Sequence, residues 1–540
     1  MSSNGSNDKN DRSGGEGLAR SVSAVEEVSR KRLFKSLAQD VSYTYSRGNN
    51  NIMGRTGSRD EDQINESIPK GLENMVRRMV STATQDLQNR IDTIQNENKE
   101  KMVSMQTEID DLTKRNQELE NAVKDLTLKN EYNEWSYTAE EIPDSYWISR
   151  GFSEDYAKRI KRLLSKMKEY THQLRRGESR VMILSFGIND HMLHDDIILP
   201  HWKEFADALV HYQNFEYRKN YGLRCFGIRN VQLQQEVIDM LAPVLNTATG
   251  IKNIQFGRLD ITSEVISFVA DIIEHNSYIQ GISWHSNQIE SMDDMRRFCK
   301  SIRKSVGNSL KSLGLNNCFN GNNQEMMRIV VDATSQLEEL NMNNNGIGSV
   351  SATFIANFLA SNPPMKHLDL TGNNLNDTDA TLLANALQSN TNLKQLYLAN
   401  NNITAIGRKV LLESVFNVTS LNSCAASNHS CSILVLTPDI SDINMYEEPP
   451  IIRAMKIFAM LSATNEGFFN TNYLGDVSYK LIPDVLRLTQ DFTRRTPELS
   501  EAYFEQTGQR CADWDQLDVD TVPITSMFEL LRGWAVPSLS

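Results

Sequence analysis

A periodicity of 28 residues is the feature that most constrains how this chain can fold. From Leu393, apolar residues recur at offsets of three, two and five, and an asparagine, Asn401, stands between the last two. The same pattern begins 28 residues earlier at Met365, and 28 residues before that at Leu337. Four earlier units begin at Leu310, Ile279, Ile251 and Leu223. Seven units in register across residues 223–420 predict one structural unit repeated along the chain.

The second half of each unit has helical spacing. Alanine and leucine-like residues lie at offsets of three, one and three in residues 352–359 and again in residues 380–387. This spacing predicts a helix after each short apolar strand. A strand through Val181, Leu184 and Phe186 leads into the array. Leu421 and Cys424 are predicted to begin an eighth unit.

The motif LxxLxLxxNxL followed by a helix resembles the leucine-rich repeat in its long, ribonuclease-inhibitor-type form. The resemblance covers nearly half of the chain. It implies an α/β solenoid, a curved horseshoe with parallel strands on the concave side and helices on the convex side. Such repeats bury their apolar residues against their neighbours.

The resemblance also implies a structural role for the repeated asparagine. An amide that points inward where the chain leaves the strand can satisfy backbone groups of the turn and of the neighbouring coil. Cys318 stands at this position in one repeat, and the family accepts a thiol there. In the first two repeats, Val231 and Leu259 are expected to replace the polar contact by packing. The asparagines expected to form this ladder are Asn287, Asn345, Asn373 and Asn401.

Strand alternation turns the residues between the leucines toward the concave face. This face is small and polar, and its aromatic and charged character rises toward the last repeats. We predict that a protein partner binds there, through Asn341, Asn343, His367, Asp369, Gln395 and Tyr397. One tyrosine is too little for a base-stacking platform, and a net charge of −13 argues against a nucleic-acid partner.

A heptad seam precedes the repeats, between Met102 and Asn130. Leucine at the d positions and one asparagine at an a position are typical of a parallel two-stranded coiled coil, which predicts a homodimer. The alternative is one solvated helix that folds back on its own chain. The predicted dimerisation residues are Ile109, Leu112, Asn116, Leu119, Val123 and Leu126.

The sequence thus divides into five segments. Residues 1–70 are predicted to be a mostly disordered tail, 71–130 a dimeric coiled coil, 131–180 an aromatic stretch with a basic amphipathic helix, 181–431 the repeat domain and 432–540 an acidic helical region. The helix at 158–176 is predicted to pack its apolar face on the repeats. A membrane-surface or calmodulin-type site is its alternative. The C-terminal region is predicted to cap the last repeat, with a separate acidic interaction module as its alternative.

Motifs that would indicate catalysis are weak. The stretch at 48–56 imitates a phosphate-binding loop, but it has the wrong glycine spacing and an arginine in place of the lysine. His191, His194, Asp195 and Asp196 are side chains that zinc accepts, although no cysteine lies close and the segment is interpreted as a solvated loop. We therefore expect no enzymatic activity, cofactor or metal.

The sequence predicts a scaffold or adaptor, a coiled-coil dimer that presents leucine-rich repeats to a protein partner. One alternative is a regulator of a small GTPase, since relatives such as the activator of the Ran GTPase act in this way and Arg229 and Arg258 follow the first two strands. Another is a structural component of a cytoskeletal or vesicle assembly. Six scattered cysteines, no secretory signal and no membrane-spanning run predict a cytoplasmic location, with the nucleus left open.

Overall fold

The computed structural model describes residues 70–178, 181–187, 191–215, 223–305, 309–435, 442–445, 447–462, 470–475, 477–490 and 497–509. The predictions for the tail before residue 70, for the loop at 48–56 and for a helix after residue 509 lie outside these ranges. The chain forms two compact units, Met1–Thr107 and Glu108–Ser540. None of the described helices is both long enough and apolar enough to cross a membrane.

The first unit is described from residue 70 onward, and all of that part is helical. It belongs to α1 (Lys70–Glu134), a helix of 65 residues. Threonines along it, such as Thr84 and Thr93, donate their hydroxyls to the carbonyl four residues earlier, as exposed helical threonines do.

The second unit alternates strands and helices. Its nine strands are β1 (Val181–Ser185), β2 (Cys225–Arg229), β3 (Asn253–Gly257), β4 (Gly281–His285), β5 (Ser312–Asn316), β6 (Glu339–Asn341), β7 (His367–Asp369), β8 (Gln395–Tyr397) and β9 (Ser432–Leu434). Two helices precede β1, namely α2 (Asp144–Ser149) and α3 (Glu154–Arg176). The next eight are α4 (Leu199–Tyr212), α5 (Gln235–Thr247), α6 (Ser263–His275), α7 (Met292–Ser305), α8 (Gln324–Ala333), α9 (Ser349–Ala360), α10 (Asp377–Leu387) and α11 (Ala405–Val415). The C-terminal part holds α12 (Leu421–Ala426), α13 (Pro449–Leu461), α14 (Ile482–Gln490) and α15 (Pro497–Thr507).

The strands form one parallel sheet in the order of the chain, β1 to β9. Each repeat pairs residue for residue with the next, so that Gly227 lies beside Gln255 and Asp369 beside Tyr397. This is the register that the repeated sequence predicts. A helix between consecutive strands returns the chain to the start of the next parallel strand.

The core lies between the sheet and the helices. Leu368 and Leu370 from one repeat and Leu396 and Leu398 from the next are at most 1% exposed. Helix residues such as Leu383 close the core from the other side, with no exposed area. Burying one such leucine contributes about 1.5–3 kcal/mol, and each repeat does so only against its neighbours.

The asparagine ladder is present, and Asn373 shows its geometry. Its Oδ1 accepts hydrogen bonds from the backbone N–H groups of Asn345 and Ile347, at 3.0 and 3.1 Å. Its Nδ2 donates to the carbonyl oxygens of Met342 and Leu370, at 3.1 and 2.8 Å. The side chain therefore joins its own repeat to the preceding one. Asn287, Asn345 and Asn401 make equivalent contacts.

The repeats without asparagine satisfy the turn in other ways. The Cys318 thiol donates to the carbonyl of Trp284, which is the contact that an amide makes elsewhere. Val231 and Leu259 are buried apolar residues, as expected. In the first repeat the preceding residue, Asn230, supplies an amide that donates to the carbonyl of Gly187. The chain thus keeps a polar link in the first of the two repeats whose ladder position is apolar.

The residue before each ladder position has a left-handed backbone. Glycine and asparagine tolerate this conformation best, which explains the paired asparagines at 344–345 and 400–401. Arg258 departs from this preference, with a φ of 48°. The seven residues are Asn230, Arg258, Ser286, Asn317, Asn344, Gly372 and Asn400.

The prediction of an eighth strand at Leu421 and Cys424 is wrong, because these residues lie in the short helix α12. The Ser420 side chain caps that helix by accepting from the N–H of Ser423 at 3.0 Å. Two apolar residues three positions apart fit one turn of a helix as well as the start of a repeat. The spacing of Leu421 and Cys424 therefore does not distinguish the two structures. The last strand is β9, which pairs with β8.

Helix α13 packs against α12, α14 and α15 next to the last repeats. Lys456 of α13 has no exposed area, and its Nζ donates to the carbonyls of Val415 and Asn428. His429 Nδ1 lies 3.3 Å from the same Nζ. Burial lowers the pKa of Lys456 to about 7. An ammonium that holds two repeat carbonyls therefore ties α13 to the array.

The first prediction concerns the ladder. Asn373→Ala leaves two buried N–H groups and two carbonyls without their partner, and we expect it to lower the free energy of unfolding by about 1–3 kcal/mol. Thr371→Ala is the control, because no hydrogen bond of the Thr371 hydroxyl supports the turn and the residue is part exposed. Denaturant unfolding of both variants measures the difference. Equal losses would contradict a structural role for the amide.

The second prediction concerns Lys456. Its pKa is lower in the folded chain than the ordinary 10.5, so the unfolded state binds more protons above about pH 7 and stability rises with pH there. We expect a gain of about 2 kcal/mol between about pH 7 and about pH 8.5, at about 1.4 kcal/mol per pH unit. The window stops there because burial raises the pKa of the Cys299, Cys318, Cys424 and Cys431 thiols, and together these four groups reverse the slope at higher pH.

Chemical unfolding at a series of pH values checks this slope. Lys456→Met is expected to remove it, and Lys409→Met, at an exposed lysine of α11, is expected to retain it. A slope that survives in Lys456→Met would show that another group causes it.

Candidate functional site on the strand face

The strand face is the surface formed by the outward side chains of the sheet. A depression of ≈ 540 Å³ runs across it from β3 to β8. Its lining includes the outward residues of the central strands, which are small and polar, such as Ser283 and Gly314. Five of the six residues predicted to bind a partner also line it, namely Asn341, His367, Asp369, Gln395 and Tyr397. The sixth, Asn343, lies just beyond β6.

Asp369 is the centre of one polar cluster on this face. Its carboxylate accepts hydrogen bonds from Nδ2 of Asn341 at 3.3 Å and from Nδ2 of Asn343 at 3.1 Å. The backbone N–H of Thr371 donates to its other oxygen at 3.0 Å. These contacts hold the carboxylate in one orientation while part of the side chain stays exposed. A fixed carboxylate at the surface can receive a basic side chain of a partner.

Gln395 joins the other predicted residues. Its Oε1 accepts from the Tyr397 hydroxyl at 2.8 Å and lies 2.9 Å from Nδ1 of His367. Since this oxygen only accepts, His367 Nδ1 carries the hydrogen and its Nε2 is directed elsewhere. Burial, and then the charges of Asp369 and Glu339, raise the pKa of Tyr397, so its hydroxyl remains a donor at neutral pH. The structure therefore brings all six predicted residues together as two adjacent clusters.

The opposite end of the strand face is basic. Arg229, the last residue of β2, donates from its guanidinium to Oε1 of Gln255. His285 ends β4, and its ring lies over Gly257, where a side chain of any size would collide with it. Burial, and then the charges of Arg229 and Arg258, lower the pKa of His285. His285 is thus a neutral ring beside two arginines.

The histidine and aspartate side chains that zinc could accept do not surround a common site. His191 contacts the carbonyl of Arg258 at 2.9 Å, and His194 contacts Asp196 at 3.2 Å. Asp195 instead pairs with Arg150 at 2.8 Å. Among the described residues, no group of three histidine, cysteine or carboxylate side chains is placed to hold a metal ion.

The predicted dimerisation residues lie along one side of α1, within the second unit. Ile109, Leu112, Leu119, Val123 and Leu126 are between 52% and 64% exposed, and Asn116 is exposed with them. Arg115 of the same helix pairs with Asp111 at 2.9 Å.

The basic helix α3 buries its apolar side. Ile160, Leu163, Met167 and Leu174 are at most 3% exposed, and α3 packs against α4. That apolar side is therefore occupied and is not available for a membrane or a calmodulin-like partner. Several basic residues pair with acids nearby, such as Lys161 with Glu141 at 2.9 Å.

The sequence reading missed the basic end of the strand face as a polar site. It named Arg229 and Arg258 only for the catalytic alternative. The sequence does indicate this site. Arg229, His285 and Asn316 each lie two residues after the outward residue at the centre of a strand. Strand alternation places such residues on the same face.

One family model matches part of the repeat array. The family model described as Leucine Rich repeat matches residues 361–384 and 389–412. No curated protein matches the chain. Among solved structures, an internalin from Listeria monocytogenes is similar, with 14% sequence identity over 45% of this chain and 67% of that chain and a TM-score of 0.26.

The strand order, the register and the matching repeats define an α/β solenoid of leucine-rich repeats. Within residues 225–434 the array holds eight of the nine parallel strands, and each unit is completed by a helix on the other side of the sheet.

Proposed function

We propose that this protein is a non-enzymatic scaffold that binds a protein partner on its strand face. The observation that carries the proposal is the continuous depression over six strands, whose C-terminal end holds two hydrogen-bonded polar clusters. Broad surfaces of this kind suit a protein ligand better than a small molecule. Tyr397 is the expected anchor, because aromatic residues are enriched among the residues that dominate interface energies.

We further propose that the chain is a homodimer through α1. A row of apolar side chains more than half exposed is unfavourable on an isolated helix, and the a/d spacing fits a second copy. The unit lengths of 27 to 31 residues support the long, ribonuclease-inhibitor-type repeat. The five described cysteines are all free, which supports a reducing compartment such as the cytoplasm.

The third prediction tests the strand face. Tyr397→Ala removes the expected anchor, and Asp369→Asn removes a charge while keeping the shape of the side chain. We expect the double variant to lose its main partner in a pull-down, since loss of one interface anchor costs about 2 kcal/mol or more. Asp239→Asn, the same charge change on the exposed side of α5, is the matched control.

Circular dichroism and melting must be unchanged for the comparison to hold. Retained binding by the double variant would move the site away from the strand face. The same captured fraction separates the alternatives: a GTPase regulator would bring down a small GTPase and change its rate of hydrolysis, and a scaffold would leave that rate unchanged.

The fourth prediction tests the dimer. Light scattering of the full chain is expected to give twice the chain mass of 61.3 kDa. Leu112→Glu with Leu119→Glu places charges in the seam and should give a monomer. Lys114→Glu with Gln117→Glu, on exposed positions outside the seam, should leave the dimer intact. A wild-type monomer at tens of micromolar would exclude the coiled-coil dimer.

A further inference from the structure

Four side chains in one row of the strand face have a buried polar atom without a hydrogen-bond partner. The carboxyl-end row, as we call it, contains Arg229, Gly257, His285 and Asn316, which are direct neighbours in the sheet. Asn343 continues it, two residues after the central residue of β6 as Asn316 is in β5. The unpaired atoms are Nε of Arg229, Nε2 of His285, Oδ1 of Asn316 and Oδ1 of Asn343.

An unpaired buried polar atom destabilises a fold, and native proteins contain few of them. All four side chains of the carboxyl-end row are part exposed, so rotation about their own bonds can turn these atoms toward a bound molecule. Three of the atoms belong to residues that end β2, β4 and β5, and the fourth belongs to a residue that follows β6. The four atoms therefore lie along a line that crosses the strands. A ligand that satisfies them must therefore be extended and polar.

The chemistry of the row changes from one end to the other. At the β2 end, Arg229 offers N–H donors and Arg258 adds a second positive charge. At the β6 end, Asn343 offers an acceptor, because its Nδ2 donates to Asp369 and its Oδ1 is an amide oxygen. Glu339, the first residue of β6, is exposed and adds a second negative charge to the later repeats. The face is therefore positive at its first repeats and negative at its later ones.

The backbone of Arg258 supports a role for the positive end. Its left-handed φ of 48° is one that asparagine or glycine adopts in five of the other six repeats. An arginine at this position is less favourable for folding, which is understandable if its charge serves binding.

We infer that the strand face holds an extended protein segment with an oxyanion-bearing side chain at Arg229 and His285 and a basic side chain at Asp369 and Glu339. This inference rests on the proposed function and adds the chemistry and direction of the partner. The oxyanion is the carboxylate of an acidic residue or the phosphate of a modified one, since a guanidinium binds both.

The sheet also gives the spacing of the two charges. Five inter-strand steps separate β2 from β7, or about 24 Å at about 4.8 Å per step. An extended chain advances about 3.3 Å per residue, and only residues an even number of positions apart point to the same side, so the acidic and basic side chains should lie about six or eight residues apart.

The experiment is a selection of random displayed peptides on three forms of the full chain: wild type, Arg229→Glu and Asp369→Lys. Wild type should enrich peptides with one acidic and one basic residue about six or eight positions apart. Arg229→Glu should enrich a basic residue in place of the acidic one, and Asp369→Lys the reverse. Each wild-type peptide should bind the mismatched variant about tenfold more weakly and regain affinity when its own charge is reversed.

Controls separate the possible failures. Lys300→Glu and Asp239→Lys, on exposed helix positions, should select the same peptides as wild type. If either face variant unfolds, Arg229→Gln and Asp369→Asn take its place, with loss of selection at the corresponding charge as the expected result. Synthetic peptides with glutamate, phosphoserine or serine at the acidic position show which oxyanion is preferred, and equal binding by all three would overturn the inference.

Selection without paired charges, or without any enriched peptide, would also overturn it. The Tyr397→Ala variant then shows whether the proposed function fails as well. Peptides that need Tyr397 but lack the charge pair contradict only the inference, whereas peptides that bind regardless of every strand-face change contradict both.

Discussion

The whole repeat domain depends on satisfying the backbone where the chain leaves each strand. At that turn, N–H and C=O groups are buried between two repeats and have no strand or helix partner. In four of the seven repeats one side-chain amide, such as that of Asn345 or Asn373, supplies both donor and acceptor to the preceding repeat. Leucine packing gives most of the free energy, but the amide fixes which residue lies beside which. The outward residues are aligned as rows only because that register is kept.

Because this register is kept, the residues that stabilise the fold are different from the residues that are available for binding. The inward positions are tied to leucine, asparagine and left-handed residues, while the outward positions of the strands carry no such demand. Asp369, Gln395 and Tyr397 are thus placed by the scaffold and held by one another. At the other end, Arg229 and His285 occupy outward positions where packing requires neither charge nor a ring. Such placement is what a binding surface on a rigid support needs.

Much of this could be predicted from the sequence, because the repeat fixes strand, helix and facing direction together. The repeated asparagine, for example Asn373, predicts the ladder. The repeat spacing between Asp369 and Tyr397 predicts that these two residues are neighbours in the sheet. Other features have no periodic signal. The helix at Leu421 could not be predicted, because an offset of three fits both a helical turn and the start of a repeat. Lys456 is buried by contacts with residues 27 to 41 positions away. The unpaired atoms of Arg229 and His285 depend on the side-chain packing of neighbouring strands, which no single repeat reveals.

The most direct test of a partner on the strand face is site-specific photocrosslinking. A photoreactive phenylalanine analogue at position 397 or 255 lies on the face, and the same residue at position 239 lies on the exposed side of α5. We predict that illumination of the full chain in cells gives one discrete adduct, of the same mass, from positions 397 and 255 and none from position 239. Adducts from position 239 alone, or different adducts from 397 and 255, would contradict a single partner bound along this face.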